Sequence, residues 1–353
     1  MGVAGGKKVS VIVAAVVVLI LVAFAGSSWA GSYYLRQGEE AYQKGEFDRA
    51  EQVLSRALFF NSKKPEVHYY LGRVALGPLD SERVSYPVAK YDEAIRHFEK
   101  ALSLGLETSN TVFFGRMLHL LGYSYRKIEK YDKSDSAFLK RIQALPDSSF
   151  DARLFVADDY LERFNRPEEA FRIVLPATGS AYAESKFYYR ALVVAARLYF
   201  YFEDYANAEK YARLAIEKGG DIEKDAWLQV AHNLLALLYA RKGEVATSEE
   251  EIKKSNALAV TPGANNCVLA AAYVLAKKYQ QAVVTAEKHQ NVKYPYLRSI
   301  CLNALGDAYA AFGKKETARR SYEEYLAATD AVEKKNIFMV RDRTRITELL
   351  RAW

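Results

Sequence analysis

Cysteine is nearly missing: the chain has two in 353 residues, Cys267 and Cys301. That excludes a disulfide framework and any Cys-x-x-Cys zinc or redox pair, so the fold must be held by packing. Neither cysteine lies near the N-terminal apolar stretch, which excludes a lipid-attachment cysteine there. Clustered charge of one sign is also missing. The formal charge is +7, but Lys7 and Lys8 precede the apolar stretch, no acid occurs before Glu39, and 48 bases then face 43 acids. So thin a surplus gives no phosphate-tracking face, and no nucleic-acid partner is expected. Catalytic signatures are absent as well: there is no Gly-x-Ser-x-Gly elbow, no His-Glu-x-x-His and no phosphate-cradling glycine loop. Gly2, Gly5 and Gly6 lack the strand such a loop needs. His68, His97, His119, His232 and His289 show no metal-ligand spacing. No enzyme activity, cofactor, metal or small-molecule substrate is therefore expected. Glu249, Glu250 and Glu251, followed by Lys253 and Lys254, read as a solvated helix face.

What is present is the composition of a folded protein, 50% hydrophobic and 26% charged, long enough for two domains or one extended array. After a short tail (1–8), residues 9–30 carry no charge; as a helix they would extend roughly 33 Å, enough for a hydrocarbon core of about 30 Å. Twelve Val, Ile, Leu and Phe residues in this run favour insertion. The expectation is a transmembrane anchor, with Lys7 and Lys8 holding the N-terminus in the cytoplasm and the remainder on the extracytoplasmic side, periplasmic in a bacterium. The alternative is a cleaved signal, since Ser28 and Ala30 precede Gly31 as small residues precede a signal-peptidase site, which would release a secreted or periplasmic form.

From about residue 31 one pattern recurs. Its clearest copy is Leu121, Gly122, Tyr125, Tyr131, Phe138 and Pro146. A second is Leu305, Gly306, Tyr309, Gly313, Ala318 and Tyr322, and a third is Gly38, Ala41, Gly45, Phe47, Ala50, Leu54 and Ala57. Markers equivalent to the glycine follow at Gly72, Asp158, Ala196, Ala236 and Ala270, giving separations of 34, 50, 36, 38, 40, 34 and 36 residues. The long gap holds a breaker-rich stretch, Gly77 to Pro87, expected to be a surface loop near 77–90. Small residues let helices approach and large rings fill the space between. Gly38, Ala50, Gly72, Ala94, Leu121, Gly122, Tyr125, Phe138, Ala208, Tyr239, Ala282, Gly306, Tyr309 and Ala318 are assigned to this packing. In the fourth copy Asp158 at the marker and Pro176 in the second helix predict distortion.

This pattern resembles the tetratricopeptide repeat (TPR) family, in which Leu-Gly is followed by a Tyr, an Ala and an aromatic at fixed intervals. The resemblance implies an all-α, right-handed solenoid of about eight helix-turn-helix units over 31–335, closed by an amphipathic capping helix at 336–353 that carries Arg341, Arg343, Arg345 and Arg351. In that family the first helix of each pair lines a concave groove through positions 2, 5, 9 and 12 of the unit. Carried over, these are Tyr69, Arg73, Arg116, His119, Tyr123, Arg126, Arg190, Arg197 and Phe200. Arginines and aromatics there suit an extended peptide or a helix, with acidic side chains as natural partners. Chaperone-tail binding is not expected, because the carboxylate-clamp positions hold Leu35 and Glu39. Cys267 and Cys301 fall on adjacent first helices, either bonded or serving as two small buried apolar residues. The implied function is a non-catalytic scaffold, such as anchored relatives provide to envelope, secretion or motility complexes, or an accessory subunit of a multi-chain enzyme.

Overall fold

The computed structural model describes residues 16, 26–77, 90–109, 111–220, 225–259, 265–292, 294–330, 332 and 335–353. The expected anchor at 9–30 lies outside these apart from Val16 and 26–30, and so does the expected loop apart from Gly77 and Lys90. Among the described residues no helix is long and apolar enough to cross a membrane, and none is in a strand.

The chain divides into two compact units, Met1–Ser149 and Phe150–Trp353. Unit one contains α1 (26–43), α2 (Phe47–Phe60), α3 (Pro65–Leu76), α4 (Tyr91–Ser103), the short α5 (Leu106–Ser109), α6 (Thr111–Lys127) and α7 (Tyr131–Ala144). The pairs α1/α2, α3/α4 and α6/α7 are antiparallel hairpins. Unit two contains five more hairpins. They are α8/α9 (Phe150–Glu162, Pro167–Val174), α10/α11 (Tyr188–Tyr201, Tyr205–Gly219), α12/α13 (Ala226–Arg241, Val245–Leu258), α14/α15 (Asn266–Leu275, Tyr279–His289) and α16/α17 (Pro295–Ala311, Lys315–Asp330). A final helix, α18 (Ile337–Ala352), follows. Within each unit the hairpins stack in chain order, first helix on first helix and second helix on the next first helix.

One corner makes most of these hairpins. Gly45, Glu129, Glu203, Gly243, Lys277 and Gly313 all take left-handed backbone, with φ from 59° to 80°. The next residue's N–H then donates to a carbonyl five residues back: Glu46 to Ala41, Lys130 to Tyr125, Asp204 to Tyr199, Glu244 to Tyr239, Lys278 to Tyr273 and Lys314 to Tyr309, at 2.8–3.0 Å. This is the Schellman arrangement, which satisfies the last carbonyls of the first helix while reversing the chain. The α8/α9 corner is one residue longer: Asn165 is left-handed (φ 51°), and Arg166 N–H reaches Tyr160 at 2.9 Å. There α9 stops at Val174 and passes into a 3₁₀ turn, Leu175–Thr178, around Pro176, the distortion expected of a proline without an amide donor.

The packing is knob against notch. A Cβ built on Gly38 would meet Leu54 at 2.5 Å, on Gly72 would meet Phe98 at 2.5 Å, and on Gly122 would meet Phe138 at 2.8 Å. Gly306 stands against the Tyr322 ring in the same way. Ala50, Ala94, Ala208, Ala282 and Ala318 are fully buried, and Leu121, Tyr125 and Tyr239 nearly so. Neighbouring hairpins are also clipped through tyrosine: Tyr125 Oη donates to Glu99, Tyr273 to Glu249 (2.7 Å) and Tyr309 to Glu287 (2.5 Å). Burial and then the Glu249 bond push Tyr273 up to about 12; for Tyr309 the Glu287 bond comes first, with the same result. Cys267 of α14 and Cys301 of α16 are bonded to each other, with Cα atoms 4.7 Å apart. This settles the alternative left open by the sequence and staples two consecutive hairpins.

Candidate protein-interaction groove

In unit one the first helices α1, α3 and α6 bring together a cluster of tyrosines and arginines. The Arg73 guanidinium lies 4.4 Å from the Tyr42 ring centroid and 5.6 Å from that of Tyr69, close enough for cation–π attraction. Arg73 Nη1 donates to Tyr69 Oη at 3.4 Å. Tyr69 stacks on Phe113 with centroids 4.8 Å apart, and Tyr70 Oη donates to Glu39. Arg116 is exposed on α6, near enough to Tyr69 to pull its hydroxyl pKa down, although burial is the larger effect and the net shift is upward. Among the described residues neither Arg73 nor Arg116 is paired with a carboxylate.

This corrects part of the expected groove. Tyr69 is completely buried, so it supports the arginines from beneath and does not line the surface. His119 turns toward α7, where its Nδ1 is 3.1 Å from Arg141 Nη1 and its ring lies beside Phe138. Tyr123 faces Tyr91 and Lys127, and Arg126 lies over Tyr131 of the following helix. The structure thus keeps Tyr69, Arg73 and Arg116 together, adds Tyr42, Phe113 and Glu39, and sends the other three elsewhere. Glu39 and Tyr42 fall at positions 9 and 12 of the first unit, the same positions that line the groove elsewhere, but were not carried over from that unit; Phe113 precedes the marked positions of α6, and only its aromatic character could have signalled it.

In unit two the expected groove arginines are matched internally. Arg197 of α10 is ion-paired with Glu162 of α8, and its side chain is only 12% exposed. Arg190 Nη2 lies 4.0 Å from Asp225 Oδ2, and its guanidinium covers the Phe187 ring at 4.4 Å. Phe200 packs on Tyr205 and on Phe338. Phe338 belongs to α18, whose first turn reaches α10: it also contacts Tyr201 (5.8 Å) and Arg197 (5.9 Å), while Arg341 lies over Tyr201 at 5.5 Å. Further along, Arg345 donates to Asp307 (2.9 Å) and Asn303 (2.7 Å) of α16, and Arg343 to Asp330 (2.6 Å) and the Leu326 carbonyl (2.9 Å) of α17. So α18 is amphipathic, with Ile337, Met339 and Ile346 buried and Arg341, Arg345, Glu348 and Arg351 on its exposed side, but it does more than close the array. Three of its arginines engage neighbouring helices, and the helix covers the face where Arg197 and Phe200 were expected to receive a partner.

The glutamate run is also corrected. Glu251 is buried between His232 (Nδ1 at 2.6 Å) and Lys254 (2.8 Å). Burial pushes its carboxyl up, but the bonds from His232 and Lys254 outweigh it and hold the group below the usual carboxylate range. Among the described residues no cluster of three or more His, Cys, Asp or Glu is placed to hold a metal ion.

No family model matches this chain, and no curated protein does. Solved structures do. The apo form of the quorum sensor NprR from B. thuringiensis superposes with a TM-score of 0.50 at 14% identity, over 85% of this chain and 87% of that one. A tetratricopeptide repeat protein from Parabacteroides merdae matches with a TM-score of 0.43 at 15% identity, over 78% of this chain and 99% of that one. Pseudomonas aeruginosa pilF matches with a TM-score of 0.43 at 16% identity, over 72% and 98%. The likeness is one of fold.

Proposed function

We propose that this protein is a membrane-tethered, non-catalytic scaffold that takes an acidic peptide or helix on the unit-one groove. The observation that carries this reading is the pair of arginines, Arg73 set on the Tyr42 and Tyr69 rings and Arg116 exposed near Tyr69, neither ion-paired with a carboxylate among the described residues. A guanidinium held on an aromatic face is pre-organised to grip a carboxylate through two parallel N–H donors. The tether is residues 9–30, with the N-terminus cytoplasmic and the repeats extracytoplasmic, where such a scaffold would serve assembly of an envelope, secretion or motility complex. Two observations support this reading. The helix 26–43 runs through Ala30–Gly31, and Trp29 before that bond stacks on Tyr33 after it, so the residues that a cut would remove are part of the folded hairpin. The Cys267–Cys301 bond suits an oxidising compartment.

The test is fluorescence anisotropy with a labelled Glu-rich amphipathic peptide. Wild type is expected to bind it in a salt-sensitive manner. Arg73→Glu with Arg116→Glu should weaken binding at least tenfold, about 1.4 kcal/mol. Equal affinity for both proteins would remove this groove from consideration. Protection of the repeats from added protease, on sealed vesicles of each orientation, tests the topology.

A further inference from the structure

The two most exposed large apolar side chains among the described residues are Phe59 (84%) and Trp29 (71%), and both stand at the same end of the first hairpin. Tyr33 and Phe60 join them, at 42% and 38%. They form one continuous ledge. Trp29 stacks on Tyr33 (5.7 Å), Tyr33 meets Tyr34 edge-on (5.5 Å), Tyr34 stacks on Phe60 (5.7 Å), and Phe60 meets Phe59 edge-on (5.3 Å). Gly31 lets the two helices close here, since a Cβ on it would lie 2.8 Å from that of Asn61. Lys64 Nζ donates to Ser32 Oγ at 3.3 Å, tying the α2–α3 loop to the same end.

The charge of the hairpin is split along its length. The aromatic end, residues 26–38 and 52–65, contains Arg36, Arg56, Lys63 and Lys64 and no acid. The opposite end, residues 39–51, contains Glu39, Glu40, Glu46, Asp48 and Glu51 against Lys44 and Arg49. Aromatic rings with basic neighbours and no acid are the composition that settles at the headgroup layer of an anionic bilayer.

The chain that enters this end is the uncharged run 9–25. If that run lies in hydrocarbon, the four residues from Ala25 to Trp29 span at most about 14 Å, and the headgroup layers bring a core of about 30 Å to only 40–45 Å in all. Trp29 then lies at or beside the interface, and the ledge is carried there with it.

We propose that the end of the first hairpin formed by Trp29, Tyr33, Phe59 and Phe60, ringed by Arg56, Lys63 and Lys64, is a membrane-docking face that seats unit one on the phospholipid surface. This rests on the tether reading, and it adds that the folded repeat itself touches lipid. A flexible tether would leave the hairpin free in solvent; a seated hairpin holds α1 and α2 end-on to the bilayer.

The experiment uses the full chain in phosphatidylcholine–phosphatidylglycerol vesicles, with Trp29→Phe, Trp227→Phe and Trp353→Phe removing the native indoles. Phe59→Trp then reports from the ledge, and Phe47→Trp, in a second protein, from the far end of the same hairpin. Lipid brominated near the top of the acyl chains should quench the Phe59→Trp protein about twofold and leave the Phe47→Trp protein unquenched, because interfacial aromatics lie at that depth. Alkaline carbonate extraction reports the tether separately. Retention in carbonate without quenching at the ledge overturns the docking face and leaves the tether standing. Quenching with release in carbonate overturns the tether and keeps the face as a peripheral contact. Equal quenching at both ends also overturns the proposal, since it would mean the hairpin lies flat or is unfolded on lipid.

Discussion

In unit one Arg73 lies on tyrosine rings and Arg116 is exposed, neither ion-paired with an acid among the described residues; in unit two Arg190 and Arg197 are matched to Asp225 and Glu162, and Arg197 lies against Phe338. All four arginines occupy the first-helix positions that line a groove in the family this chain resembles. What separates them is the neighbourhood: α8 and the start of α12 bring carboxylates to α10, and α18 folds back over it, whereas α1 and α6 bring aromatics to α3. A basic residue on a first-helix face is thus available to a partner only where the adjacent hairpins leave it without a carboxylate.

The largest test of this contrast is Arg197→Glu. It places two carboxylates where a shielded ion pair stood, and breaking such a pair typically costs about 3–5 kcal/mol. Hydrogen exchange across a urea series should show unit two opening earlier, with peptide capture by unit one unchanged. Loss of capture would mean that the unit-two face contributes after all. Next is the staple. Cys267→Ser with Cys301→Ser, or reduction, removes a closure over 34 residues, expected to lower unit-two stability by roughly 3–4 kcal/mol in the chain-entropy picture. An unchanged exchange profile in α14–α16 would show that packing alone holds those hairpins.

A smaller effect distinguishes unit one by pH. His68 and His97 meet through their Nδ1 atoms at 3.1 Å. Burial lowers the pKa of both; Lys100 adds to this for His68 against the Ser62 carbonyl bond, and for His97 the His68 ring adds to it against Glu93. The neutral pair is favoured in the fold, so its stabilisation is complete above the ordinary histidine pKa of about 6.5 and is lost as pH falls through that value toward the lowered ones. Urea midpoints of unit one should drop between neutral and mildly acidic pH, and His97→Gln should flatten that slope. The smallest expected change is a gain. Lys277 holds a left-handed corner that glycine fills in three equivalent hairpins, so Lys277→Gly should stabilise unit two by up to about 1 kcal/mol. A lower melting temperature would show that the Lys277 side chain contributes more than its backbone strain costs.

The helices, their pairing and the small-against-large contacts were legible because each depends on residues within one or two repeats. Gly122 against Phe138 is a local fact, and so is Pro176 ending α9. The groove was legible only in part. The burial of Tyr69 depends on Phe113 arriving from a different hairpin, and the partner of Arg197 lies 35 residues earlier. Phe338 is farther still, on a helix whose arginine-rich face reads as solvated until Asp307 and Asp330 are seen opposite it. Glu251 was misread for the same reason: three glutamates in a row look solvated, and only His232 on the neighbouring helix explains why one of them turns inward.

The recurring left-handed corner has an evolutionary side. Because Gly243 and Lys277 make the same turn with the same backbone bonds, a chain joined from Gly243 directly to Lys278 would still reverse there, with α12 handed on to α15. What such a joint removes is one second helix and the first helix that follows it, a full repeat's length of chain, so the reach of the array could be shortened or lengthened by that length without inventing a new junction.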